Sequence, residues 1–195
     1  MNDFERLKNE ISECRICQDF LPAGPNPVVQ INPMAKILVA GQAPGIKVHQ
    51  SNIPFNDASG DRLRTWMDIG PEVFYDDSKI AILPMGFCYP GKGKSGDLPP
   101  RKECAIHWRS KVLEQLRNIE LTLVIGQYAA KWHFPELNHL NLTDTVKQVC
   151  ATPSDKLVLP HPSPRNFAWF KRNPWFEEEV VPNIQRKVKM ILKHN

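Results

Sequence analysis

The sequence predicts a three-layer α/β/α domain built on a central, mainly parallel sheet of four strands. Two observations carry this. Four short apolar runs, at residues 36–40, 79–83, 121–125 and 156–159, are bounded by turn formers and are too short for helices. The stretches between and beyond them contain apolar residues at helical spacing. Strands alternating with helices imply right-handed crossovers, and hence a parallel sheet covered on both faces. Polar loops then collect at the C-terminal ends of the strands, where open α/β sheets bind ligands.

Taken in order, residues 4–16 read as a helix with Phe4, Leu7, Ile11 and Ile16 on one face. Cys14-Arg-Ile-Cys17 ends it, and a loop rich in Pro, Gly and Asn fills residues 20–34. The first strand runs into Gly41-Gln-Ala-Pro-Gly45, whose glycines permit a sharp turn and close approach of backbone to a ligand. Ile53-Pro-Phe-Asn-Asp57 follows, then a helix over 59–69 capped by Ser59 or Asp61 and carrying Leu63, Trp66 and Met67. Phe74 and Tyr75 read with 79–83 as the second strand, which leads through Pro84-Met-Gly-Phe-Cys88 into a Gly/Lys/Pro-rich loop at 89–101. Glu103-Cys104 opens a helix with Trp108, Val112, Leu113 and Leu116 on its apolar side. The third strand ends at Gly126 and a helix starts over 127–132. The fourth strand meets Pro160-His-Pro-Ser-Pro-Arg-Asn166, and a last helix over about 176–193 buries Val180, Val181, Ile184, Val188 and Ile191.

The chain of 195 residues reads as one domain, 1–195, with no internal repeat. A hydrophobic content of 42% with 24% charged residues is that of a soluble globular protein. The net charge of +4 and pI near 8.8 permit nucleic acid as a partner without requiring it. Eighteen prolines in short clusters indicate fixed, irregular loops. Met1-Asn-Asp-Phe-Glu-Arg6 lacks the apolar stretch of a secretory signal, and no run approaches the ~18 apolar residues of a membrane span. The expected location is cytoplasmic, where the five cysteines would be reduced or bound to metal.

Two loops stand at the ends of two strands: Gly41-Gln-Ala-Pro-Gly45 and His161-Pro-Ser-Pro-Arg-Asn166. The pair resembles the uracil-DNA glycosylase superfamily, whose members carry a Gly-[Gln/Glu]-x-Pro-type loop early and a His-Pro-Ser-Pro-type loop late. The spacing from the first loop to Pro54-Phe55 resembles the thermophile-type (family 4) enzymes. So do Cys14 and Cys17 ahead of it, and Cys88, Pro99-Pro-Arg101, Glu103 and Cys104 behind it. The resemblance implies a monomeric, monofunctional DNA glycosylase of base-excision repair, with no nucleotide cofactor, that removes uracil or another deaminated base.

Breaking a glycosidic bond creates an oxocarbenium-like sugar and an anionic base, so the nucleotide must be flipped out and both charges stabilised. By resemblance, His161 would donate a hydrogen bond to the base oxygen and Phe55 would stack on the base. Gln42 and Ala43 would face the base or its phosphates through their backbone N–H groups, with Asn56 reading the base edge. Pro44, Gly45, Ser163, Pro164 and Asn166 would hold the DNA backbone, and Arg165 would enter the groove or the gap left by the base. An acid commonly stands at the second or third position of the first loop in this superfamily; here those positions are Gln42 and Ala43. Asp57, and behind it His49, are the nearest substitutes for orienting water, with Gln42 as a weaker one. Pro84 stands where relatives place a base-reading Asn.

Four thiolates at Cys14, Cys17, Cys88 and Cys104 suit either zinc or an iron–sulfur cluster, and the resemblance selects a structural 4Fe–4S cluster. Cys150 is left as a small core residue. Lys92, Lys94, Arg101 and Lys102 on the adjoining loop would contact phosphates. Two rivals stand beside the glycosylase: a DNA-binding protein of the same fold without catalysis, and a hydrolase of a free modified nucleoside.

Overall fold

The computed structural model describes residues 2–193. Four strands, β1 (Ile37–Ala40), β2 (Ile80–Ile82), β3 (Leu121–Ile125) and β4 (Lys156–Leu159), form one sheet in the order β2-β1-β3-β4. All three pairings are parallel, with Ile37 opposite both Ile80 and Leu121, and Leu123 opposite Leu157. The predicted α/β fold with a central parallel sheet is therefore present.

The helices, in chain order, are α1 (Asp3–Ser12), α2 (Ile46–Ser51), α3 (Ala58–Met67), α4 (Pro71–Phe74), α5 (Lys102–Cys104), α6 (Ser110–Gln115), α7 (Gly126–His133), α8 (Leu142–Cys150), α9 (Phe167–Arg172) and α10 (Val181–Lys193). A π-helical turn, Ala105–Arg109, joins α5 to α6, and a second, Phe176–Val180, leads into α10.

Side chains alternate across a strand, so neighbours in β1 serve opposite faces. Ile37 and Val39 pack with Leu63 and Trp66 of α3 and Ile184 and Val188 of α10. Leu38, with Ala81, packs instead with Phe4, Leu7 and Ile11 of α1 and Val112 of α6. Helices thus cover both faces, and the near-continuous apolar runs follow from burial on two sides.

Several expectations change. Phe74 lies in the short helix α4, not in a strand. The first helix stops at Ser12, leaving Ile16 exposed. The N-cap of α3 is Asp57, whose Oδ1 accepts the N–H groups of Ser59 (2.9 Å) and Gly60 (3.0 Å). Among the described residues no helix is long and apolar enough to cross a membrane.

Because the strands are parallel, all four C-terminal ends open on one edge. There the β1–β2 pairing continues past both strands. Leu83 donates to the carbonyl of Val39, Met85 to Gly41 and Gly86 to Gln42, at 2.9–3.0 Å. The loop 41–45 and the segment 83–86 form one hydrogen-bonded floor.

Candidate active site

Above that floor lies a cavity of about 570 Å³. It is lined from the first loop by Gln42, Ala43, Pro44 and Gly45, and from the next turn by Phe55 and Asp57. The last loop contributes His161, Ser163, Pro164, Arg165 and Asn166. Two segments more than a hundred residues apart in sequence meet here because β1 and β4 end on the same edge of the sheet. Asn56 is exposed and stands outside the lining, as does His49, whose ring faces Tyr89 at 6.1 Å.

Phe55 is held by backbone geometry. Its φ of 54° lies in the left-handed region, which costs a non-glycine residue energy and needs support from its surroundings. Gly60 supplies that support: a Cβ at position 60 would fall 1.7 Å from the Phe55 carbonyl oxygen. The ring stands edge-on to Phe74, with centroids 6.2 Å apart, and a Cβ at Gly41 would come to 3.4 Å from its tip. The absence of side chains at 41 and 60 lets the aromatic ring form a wall of the cavity.

His161 is fixed by its own loop. Ser163 N–H donates to Nδ1 at 3.2 Å, and the Asn166 amide donates to the His161 carbonyl at 2.7 Å. An Nδ1 that accepts a hydrogen bond bears no proton, so the neutral ring carries its N–H at Nε2. Burial holds the imidazole below its ordinary pKa, while the carboxylates of Asp57 and Asp97 pull it back up. The result is a neutral donor within the cavity.

With this geometry in place, the comparison with known families is decisive: the family described as Uracil DNA glycosylase superfamily matches residues 28–185, well over half of the chain. The chain belongs to the uracil DNA glycosylase superfamily. Both loops that line the cavity, 41–45 and 161–166, fall within the matched residues.

The cysteines do not follow the expected pattern. Among the described residues no three His, Cys, Asp or Glu side chains are placed to hold a metal ion. The 4Fe–4S cluster expected on Cys14, Cys17, Cys88 and Cys104 is overturned, and with it the alternative of zinc and the placement among the iron–sulfur family 4 enzymes. The local chemistry is that of thiols. Burial pushes Cys88 up to about 11 and Cys104 up to about 12. Cys104 accepts the Phe87 N–H at 3.4 Å and Cys14 accepts the Trp108 indole N–H at 3.3 Å. Cys17 and Cys88 pack with Leu21 as a small apolar cluster. Cys150 is half-buried against the main core.

Pro84 is buried in the cavity floor, and its carbonyl accepts from Arg109 at 3.0 Å. Arg101 is paired with Glu103 and lies 4.3 Å over the Phe20 ring, so it is already engaged, whereas Lys92, Lys94 and Lys102 are exposed. Sequence reasoning missed three contributors: Gly60, Arg109 and Asp97. Asp97 lines the cavity from the 91–98 hairpin, and its Oδ2 lies 3.6 Å from where a Gly45 Cβ would be. Its sequence context, Lys-Ser-Gly-Asp, reads only as a turn.

Proposed function

We infer that the protein is a DNA glycosylase that hydrolyses the N-glycosidic bond of uracil, or of another deaminated base, in DNA. One observation carries the reading: a neutral histidine with its proton on Nε2 shares a cavity with an aromatic ring held in a strained backbone. The flipped base stacks on Phe55, and the His161 Nε2–H meets the base oxygen as negative charge develops there. Gln42 and Ala43 face the base from the first loop. Pro44, Gly45, Ser163, Pro164 and Asn166 grip the backbone, and exposed Arg165 fills the vacated stack. The protein acts as a monomer of one domain on this reading.

The test is release of base from oligonucleotides bearing uracil, hypoxanthine or xanthine, single- and double-stranded, followed by alkaline cleavage of abasic sites. His161→Ala is expected to slow excision about 100- to 1,000-fold, as loss of a donor to a developing anion does. Undiminished excision by that variant would remove the assignment.

A specific observation favours a second reading. The first loop carries no acid, and Pro84 offers neither side-chain amide nor N–H to a base edge. A DNA-binding protein without catalysis would bind these oligonucleotides tightly and leave no abasic sites. Release of base only from free nucleosides would point to a nucleoside hydrolase.

A further inference from the structure

The first loop lacks the acid that its position would call for, yet a carboxylate stands beside it. The 91–98 segment folds as a short hairpin: Leu98 N–H donates to the Gly91 carbonyl (2.8 Å), Gly93 N–H donates to the Gly96 carbonyl (2.6 Å), and the backbones of Lys92 and Asp97 form an antiparallel β-bridge. The hairpin lies across the mouth of the cavity between the two motif loops. A Cβ at Gly96 would stand 2.9 Å from the Arg165 guanidinium, and Asp97 Oδ2 approaches Gly45. Asp97 is exposed at this mouth. Its carboxylate makes no hydrogen bond or ion pair among the described residues. Asp57, the other carboxylate of the cavity, is half-buried and has Oδ1 committed to two N–H groups of α3.

We propose that Asp97 is the water-orienting catalytic carboxylate, supplied to the acid-free first loop by the 91–98 hairpin. The proposal rests on the glycosylase reading above. Its geometry follows from where a nucleotide must lie. The base fills the depth between Phe55 and His161, so the sugar to which it is bonded stays at the mouth. Water reaching C1′ must be held by a group at the mouth, and Asp97 is the carboxylate there that is free to accept its proton.

As the C1′–N bond lengthens, its electron pair goes to the base, whose oxygen takes the Nε2–H hydrogen bond of His161. Water oxygen bonds to C1′ and gives one proton to the Asp97 carboxylate, which then returns it to the departed base anion. The products are an abasic sugar hydroxyl and the free neutral base. Asp57 has a different part: it holds the start of α3, and with it Gly60 and Phe55.

The experiment measures single-turnover excision of uracil from a single-stranded oligonucleotide, with DNA affinity by fluorescence anisotropy in parallel. Asp97→Asn is expected to lower the rate about 100-fold or more, as loss of a general base does, while DNA affinity holds or tightens. Asp97→Glu should restore part of the rate. Asp57→Asn keeps an N-capping oxygen for α3 but alters the cavity wall beside Phe55, so it should lose less rate than Asp97→Asn. Matching thermal melts would exclude misfolding, since the Asp97 side chain is exposed. A wild-type rate in Asp97→Asn, a change in affinity alone, or a loss confined to Asp57→Asn would overturn the assignment and leave the glycosylase reading standing. Failure of the wild type to excise any base would remove both.

Discussion

Gly60 sets the aromatic wall of the cavity through the one atom it lacks. A Cβ there would meet the backbone of Phe55 at 1.7 Å, and a carbonyl in a tight turn cannot move aside as the end of a side chain can. Gly60→Ala must therefore push the 54–56 turn away from α3, taking the Phe55 ring with it. The expected cost is about 1–3 kcal/mol of stability, typical of overpacking, together with slower excision as stacking is lost. Urea unfolding and single-turnover kinetics measure the two effects. Gly45→Ala is the control for stability, because the nearest atom to its added Cβ would be the Asp97 carboxylate at an ordinary 3.6 Å. Melting at the wild-type midpoint by Gly60→Ala would mean that the turn has freedom this packing denies it.

At the scale of elements, the π-helical turn between α5 and α6 carries Arg109 into the interior, fully buried. Its guanidinium donates to the carbonyls of Leu83 (2.8 Å) and Pro84 (3.0 Å) and to His133 Nε2 (2.8 Å), over the Trp132 ring at 4.7 Å. Burial pulls its pKa down to about 10, which leaves it charged at neutral pH. No carboxylate pairs with it among the described residues. Arg109→Met would keep much of the volume but strip donors from two carbonyls and a histidine, at a cost of about 1–3 kcal/mol for each buried group left unpaired. Denaturant unfolding should show a loss of several kcal/mol, and Arg109→Lys should recover only part of it. A neutral Arg109→Met would mean that the β2 end is held by its pairing with β1 alone. None of this was legible in the sequence, where position 109 is one more charge in a helix. The strands were legible because burial on both faces leaves unbroken apolar runs between turn formers, and the motif loops because few residue types can make such turns. Helix α8 lies in a stretch whose β-branched Thr143, Thr145, Val146 and Val149 weaken the helical signal, although Asn141 caps it by accepting the Asp144 N–H at 3.0 Å. Asp97 and Gly60 matter only through what tertiary folding brings beside them.

For the molecule as a whole, these buried groups make stability depend on pH with a definite sign. Burial, Arg109 and Lys156 together hold His133 down to about 3, and burial also lowers His161. An unfolded chain takes up these protons near pH 6.5. The folded chain does so only at lower pH, so between these limits the unfolded state binds more protons and stability must fall as pH falls. The carboxylates of Asp76 and Glu103, held low by Ser78 and Lys79 and by Arg101, add a loss of the same sign, but only below their unfolded values near 4. The interval from about pH 6.5 to 4 therefore belongs to the histidines. Urea midpoints measured at intervals from pH 8 to 4 should stay level above about 7 and decline steadily below it. His133→Gln keeps an acceptor for the Arg109 guanidinium but cannot titrate, so it should flatten the larger part of that decline while leaving the midpoint at pH 8 nearly unchanged. An identical slope in His133→Gln would place the acid sensitivity elsewhere, and a midpoint lowered equally at every pH would show that position 133 contributes packing rather than proton linkage.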